Sequence, residues 1–124
     1  MAYLLIVDDE NTTSDLLIAV LQKDGHTLHT AKNGAEALAT LGERTPDLIL
    51  MDVSMPEMDG YTMVSHLSAD TATRDIPVIV MTGKNALEDT FRQFTNVADF
   101  FAKPFDVKVL RQRVLQILAQ HGRR

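Results

Sequence analysis

The sequence predicts an α/β protein, a parallel sheet with helices packed on both of its faces. Two observations predict it. Short runs of Val, Ile and Leu without polar alternation recur along the chain, as strands covered on both sides require. Between them lie segments whose apolar residues return every three or four positions, the period of a helix. Five strand–helix repeats in 124 residues suit one domain over residues 1–124, large enough for a proper core.

Each element has its own signal. Tyr3–Val7 is the first strand and runs directly into Asp8, Asp9 and Glu10. Leu16, Leu17, Val20 and Leu21 mark the first helix, stopped by Asp24–Gly25. His26–Ala31 is a weaker, more polar strand. Asn33 stands where it can cap the second helix, whose stripe is Ala35, Leu38 and Leu41. Leu48–Met51 is the third strand, entered just after Pro46, and Val64 and Leu67 anchor the third helix. Val78–Met81 follows Pro77 as the fourth strand, and Leu87, Phe91 and Phe94 mark the fourth helix. Asp99–Ala102 is the fifth strand, with Pro104 beyond it. Val107, Leu110, Val114 and Ile117 give the fifth helix, on which Val109 and Leu115 lie off the core stripe.

Composition narrows the function. A net charge of −5 offers no general attraction to nucleic acid or anionic lipid. There is no cysteine, which excludes disulfides and thiolate metal sites. No apolar run approaches the ~20 residues of a membrane span, and the N-terminus lacks a signal-peptide pattern. The expectation is a cytoplasmic protein that binds neither membrane nor, directly, nucleic acid. His26, His29, His66 and His121 show no metal-ligand spacing.

The chemistry lies at one edge. Right-handed crossovers put every strand's carboxyl end on the same side, where ligands of open parallel sheets bind. Asp8 and Asp9 follow the first strand, Asp52 the third, Thr82 and Gly83 the fourth, and Lys103 the fifth. Two carboxylates ~4 Å apart repel by roughly 4 kcal/mol at an effective dielectric of ~20, so adjacent acids ending a core strand call for a cation. Few carboxylates completed by water suit Mg²⁺. A metal-bound acid beside a lysine and a threonine is what a phosphoryl group needs, with the carboxylate as nucleophile and Gly83 leaving room. Taken singly, each residue has a plainer reading: a solvated strand end, a turn residue, a surface charge. Their shared edge favours the joint one.

The segments "LLIVDDE", "PDLILMDVSMPEMDG", "IPVIVMTG" and "DFFAKPF" resemble, in order, the receiver domain of two-component response regulators, like the single-domain chemotaxis regulator. The resemblance implies a flavodoxin-like three-layer αβα sandwich with strand order 2-1-3-4-5 and five helices. It implies a signalling phosphoacceptor and not an enzyme in the ordinary sense. Asp52 would accept the phosphoryl group from a histidine kinase or phosphotransfer protein. Asp8, Asp9, Asp52 and the backbone carbonyl of Ser54 would hold Mg²⁺ (or Mn²⁺). Thr82 and Lys103 would hold phosphoryl oxygens, and Pro56 and Gly60 match the turn after the acceptor. Phe100 resembles the switch aromatic, with core filling the competing reading. A downstream protein or output domain would meet the face of the fourth helix, fifth strand and fifth helix.

Departures and rivals accompany the resemblance. Asn96–Val97 replaces the usual Gly-Ala, Thr82 and Lys103 stand one position closer than usual, and Ser54 and Lys84 occupy positions that tune phosphate lifetime. A haloacid-dehalogenase-like phosphatase would need a second Asp where Ser54 stands, and a cap domain. A flavodoxin-like FMN module would need a hydroxyl-rich phosphate loop where "DDEN" stands. A degenerate receiver would not keep the acids, the threonine and the lysine together.

Overall fold

Three strands of unbroken apolar sequence take the middle of the sheet. In the computed structural model, which describes residues 2–53, 60–83 and 91–121, these are β1 (Tyr3–Val7), β3 (Leu48–Asp52) and β4 (Val78–Thr82), buried throughout. The polar strand β2 (Thr27–Ala31) takes one edge and β5 (Val97–Ala102), half-buried, the other. The order is β2-β1-β3-β4-β5, all parallel, as the resemblance implied. β5 begins two residues before the expected Asp99, and a bulge opposite Val78 and Ile79 restores its register.

Alternation along each strand splits the core in two. Leu5, Val7, Ile49, Met51, Val78 and Val80 face Ala37 of α2 (Gly34–Glu43), Met63, Val64 and Leu67 of α3 (Gly60–Ala69), and Phe91. Leu4, Ile6, Leu48, Leu50, Ile79 and Met81 face Leu17 and Leu21 of α1 (Asn11–Leu21). Leu110, Val114 and Ile117 of α4 (Val107–His121) complete that side. Four α-helices therefore stand among the described residues where five were expected. Leu87 of the remaining one lies outside them, and Phe91 and Arg92 are helical.

Two helix stripes are corrected. Leu16 and Leu38 are exposed, while Ser14 and Ala37 take the inward positions. Each turn of 100° per residue fixes this: Ser14, Leu17 and Leu21 share a face at steps of three and four, and Leu16 cannot join it. The helix ends are as expected. Asn33 Oδ1 accepts the Glu36 N–H at 2.9 Å, an N-cap. After α1 the chain tightens into a 3₁₀ turn (Gln22–Asp24), and Gly25, at φ 82°, takes the left-handed conformation that ends it.

Candidate functional site

Asp8 directly follows β1, Asp52 ends β3, and these strands are neighbours paired up to Val7 and Met51. Both acids are buried, each 2% exposed. Lys103 follows β5 and reaches across to them. Its Nζ lies 2.7 Å from Asp52 Oδ2, 3.2 Å from Glu10 Oε1 and 3.4 Å from Asp8 Oδ2. Thr82 ends β4, is fully buried, and its carbonyl accepts the Lys103 N–H at 2.7 Å. Asp8, Asp52, Thr82 and Lys103 thus share the edge where the strand order reverses.

Glu10 is the residue that sequence reasoning missed. Asp8 Oδ1 accepts the Glu10 N–H at 2.8 Å, an Asx turn that folds the chain back over the end of β1. Carboxylate oxygens of Asp8, Glu10 and Asp52 then lie within 4.8 Å of one another. Asp9 is exposed and is not one of the three. The signal was the spacing of two between Asp8 and Glu10, at which a short acid bonds its own backbone.

The electrostatics follow from burial and crowding. Burial pushes the Asp8 carboxyl above its ordinary value; the Glu10 N–H and Lys103 pull it down, and the charge of Asp52 pushes it further up. Burial alone would lower the Lys103 ammonium. The hydrogen bond to Asp52 and the charges of Asp52 and Asp8 outweigh that and hold it above the ordinary lysine range. Among the described residues three carboxylates stand around one ammonium, and their all-oxygen donor set suits a hard cation such as Mg²⁺.

Other expected residues divide. Phe100 lies on β5 opposite Val80, half-buried against the cluster that contains Phe91. A Cβ added to Gly83 would meet nothing within 4 Å, so the space it leaves is open. Asn96 is buried, and its side-chain amide has no partner among the described residues. Gly60 opens α3, whereas Ser54, Pro56 and Lys84 lie outside the described residues.

A parallel α/β domain with buried acids and a lysine at its carboxyl edge is a defined class of protein, and comparison gives the family. Residues 4–115 match the response regulator receiver domain, and the chain belongs to that family. It is 36% identical over 120 residues to Protein PilH of Pseudomonas aeruginosa, covering 96% of this chain and 99% of that protein. It spans about half the length of several other curated relatives. Among solved structures, the signal receiver domain of a histidine kinase from Syntrophus aciditrophicus superposes with a TM-score of 0.88 at 35% identity. That likeness covers 100% of this chain and 95% of the other. The response regulator TrrA of Thermotoga maritima, in complex with Mg²⁺–BeF, gives 0.84 at 27% identity over 95% and 100%. The chain is therefore a two-component signalling receiver, a phosphoacceptor class of domain. No described helix is long and apolar enough to cross a membrane.

Proposed function

We propose that residues 1–124 act as one receiver domain in which Asp52 takes a phosphoryl group from a phosphohistidine on a histidine kinase or phosphotransfer protein. An Asp52 oxygen attacks phosphorus, a P–O bond forms, the P–N bond to the donor imidazole breaks, and an acyl phosphate results. One observation carries this reading: buried Asp52 stands 2.7 Å from the Lys103 ammonium, beside Asp8, at the carboxyl edge of the sheet. Asp8, Asp9, Asp52 and the Ser54 carbonyl are the residues to hold Mg²⁺, which supplies positive charge to the phosphoryl oxygens. The acidic group supports Asp8 and Asp52, though it pairs them with Glu10 and not with Asp9, and TrrA, whose complex contains Mg²⁺, supports the metal. Lys103 and the Thr82 hydroxyl bind the remaining oxygens.

The domain catalyses only its own phosphorylation and dephosphorylation, acts in the cytoplasm, and contacts no nucleic acid itself. Membership of the receiver family supports the signalling role, and the net charge of −5, which offers no general attraction to nucleic acid, supports the last point. Output runs through the fourth helix, β5 and α4. The Lys103 N–H to Thr82 carbonyl bond ties the ends of β4 and β5, and Phe100 lies opposite Val80 on that same pair. Phe100 is the switch residue in this route. Incubation with acetyl phosphate and Mg²⁺, followed by intact mass, tests the acceptor: wild type gains one phosphoryl group and Asp52→Asn none. Equal labelling of the two overturns it.

A further inference from the structure

We propose that a cavity at the amino edge of the sheet, opposite the phosphoacceptor edge, binds a purine mononucleotide. Its volume is about 610 Å³, within the range of small-molecule sites. It lies where Pro77 leads into β4 and Asn96 into β5, beside the last turn of α4. Asn96 sets it apart from a surface groove. The residue is 6% exposed, and neither its Oδ1 nor its Nδ2 has a partner among the described residues. A buried amide without partners is costly and calls for an explanation. The sheet uses only the backbone here, the Asn96 carbonyl accepting the Val78 N–H at 2.8 Å.

The groups around the cavity match the three parts of a nucleotide. An asparagine amide offers a donor beside an acceptor, the complement of the N7 and exocyclic amine of adenine. The Asn96 amide is sealed from solvent in this structure. Rotation of its side chain toward a ligand exchanges an unpaired state for a paired one. Asp75 is exposed and can accept from ribose hydroxyls. Arg74 is exposed and has no ion pair among the described residues. Arg113 directs three of its five N–H groups to Asp99, Gln116 and the Ala98 carbonyl, which leaves two. The two guanidinium groups take the phosphate. Inorganic phosphate alone would leave the amide unpaired, and a neutral nucleoside would leave the guanidinium groups without an anion.

Amide NMR titration of the protein with AMP in metal-free buffer is the test, with adenosine and inorganic phosphate as controls. AMP should shift Thr95, Asn96, Ala98 and Arg113 saturably and leave Asp8 and Asp52 in place. A concentration of about 10 mM fills most of a site with millimolar Kd. Adenosine and phosphate should each bind about ten-fold more weakly, since each makes only part of the contacts. Arg74→Gln, an exposed change, should weaken AMP about ten-fold and leave adenosine unaffected. Asn96→Leu, similar in size but without polar atoms, should weaken AMP and adenosine alike. The absence of a saturable shift at these amides, or shifts confined to the carboxyl edge, overturns the proposal. So does adenosine or phosphate binding as tightly as AMP, or wild-type affinity in Arg74→Gln. Wild-type affinity in a folded Asn96→Leu overturns it too, since the amide would then read no base.

Discussion

His26 is a residue where burial and hydrogen bonding part company. Both ring nitrogens are sealed from water, and neither has a partner among the described residues. Burial lowers its proton affinity below the ordinary value; the charges of Asp24 and Asp47 act the other way without reversing it. The folded state then binds fewer protons at this ring than the unfolded chain does. Stability contributed by neutral His26 is complete above the unfolded value of about 6.5 and is lost as pH falls through the lower folded one. Urea melts at pH 7.5 and pH 5.5 measure it. Wild type should lose more stability on acidification than His26→Phe, which keeps an apolar ring in place. Equal losses would show that the imidazole is not the sensitive group. His29 and His66 are exposed and common to both proteins, so their contribution cancels.

At the scale of the element, the phase of α1 is the clearest test of what the sequence carries. β1, β3 and β4 were legible because their apolar runs are unbroken, and a strand buried on both faces needs no phase. Helices do need one, and a count of leucines gave the wrong phase twice. Leu16 is 47% and Leu38 42% exposed, while Ser14 and Ala37 are buried. A small residue that lets a helix approach the sheet carries no hydrophobic signal, so its inward place cannot be read from apolar spacing. The site divides in the same way. Asp52, Thr82 and Lys103 each close or directly follow a strand, and topology alone sends them to one edge. Glu10 was hidden because it arrives there through a side-chain-to-backbone turn. The phase has a measurable consequence. Leu17→Ala, at a fully buried position, should cost about 2–5 kcal/mol in denaturant unfolding, whereas Leu16→Ala should stay within about 0.5 kcal/mol. Comparable losses would return Leu16 to the core.

Over the whole molecule, the two edges of the sheet are built in opposite ways. The amino edge is clamped: Asp47 Oδ2 accepts the Tyr3 N–H at 2.9 Å, and the Arg44 guanidinium lies 4.0 Å from the centre of the Tyr3 ring. Asp24 receives the Arg111 fork at 2.8 and 2.6 Å, joining the turn after α1 to α4. The carboxyl edge gathers Asp8, Glu10 and Asp52 about Lys103, with Asp9 adjacent, so that acids outnumber bases there among the described residues. Stability forgone there is recoverable by a cation, because a ligand that binds only the folded state stabilises it by RT ln(1 + [L]/Kd). At ten times its Kd, Mg²⁺ should contribute about 1.4 kcal/mol, or roughly 5 °C in melting temperature for a domain of this size. Asp9→Ala should abolish that increase, since the proposed metal set includes Asp9. Glu10→Gln should retain it, since the proposed metal set does not include Glu10. Thermal melts with and without Mg²⁺ on the three proteins separate the alternatives. If Mg²⁺ stabilises Asp9→Ala as much as wild type and leaves Glu10→Gln unmoved, the cation sits on Asp8, Glu10 and Asp52. The assignment of Asp9 would then be wrong, and the geometry of the three crowded carboxylates would be the better guide.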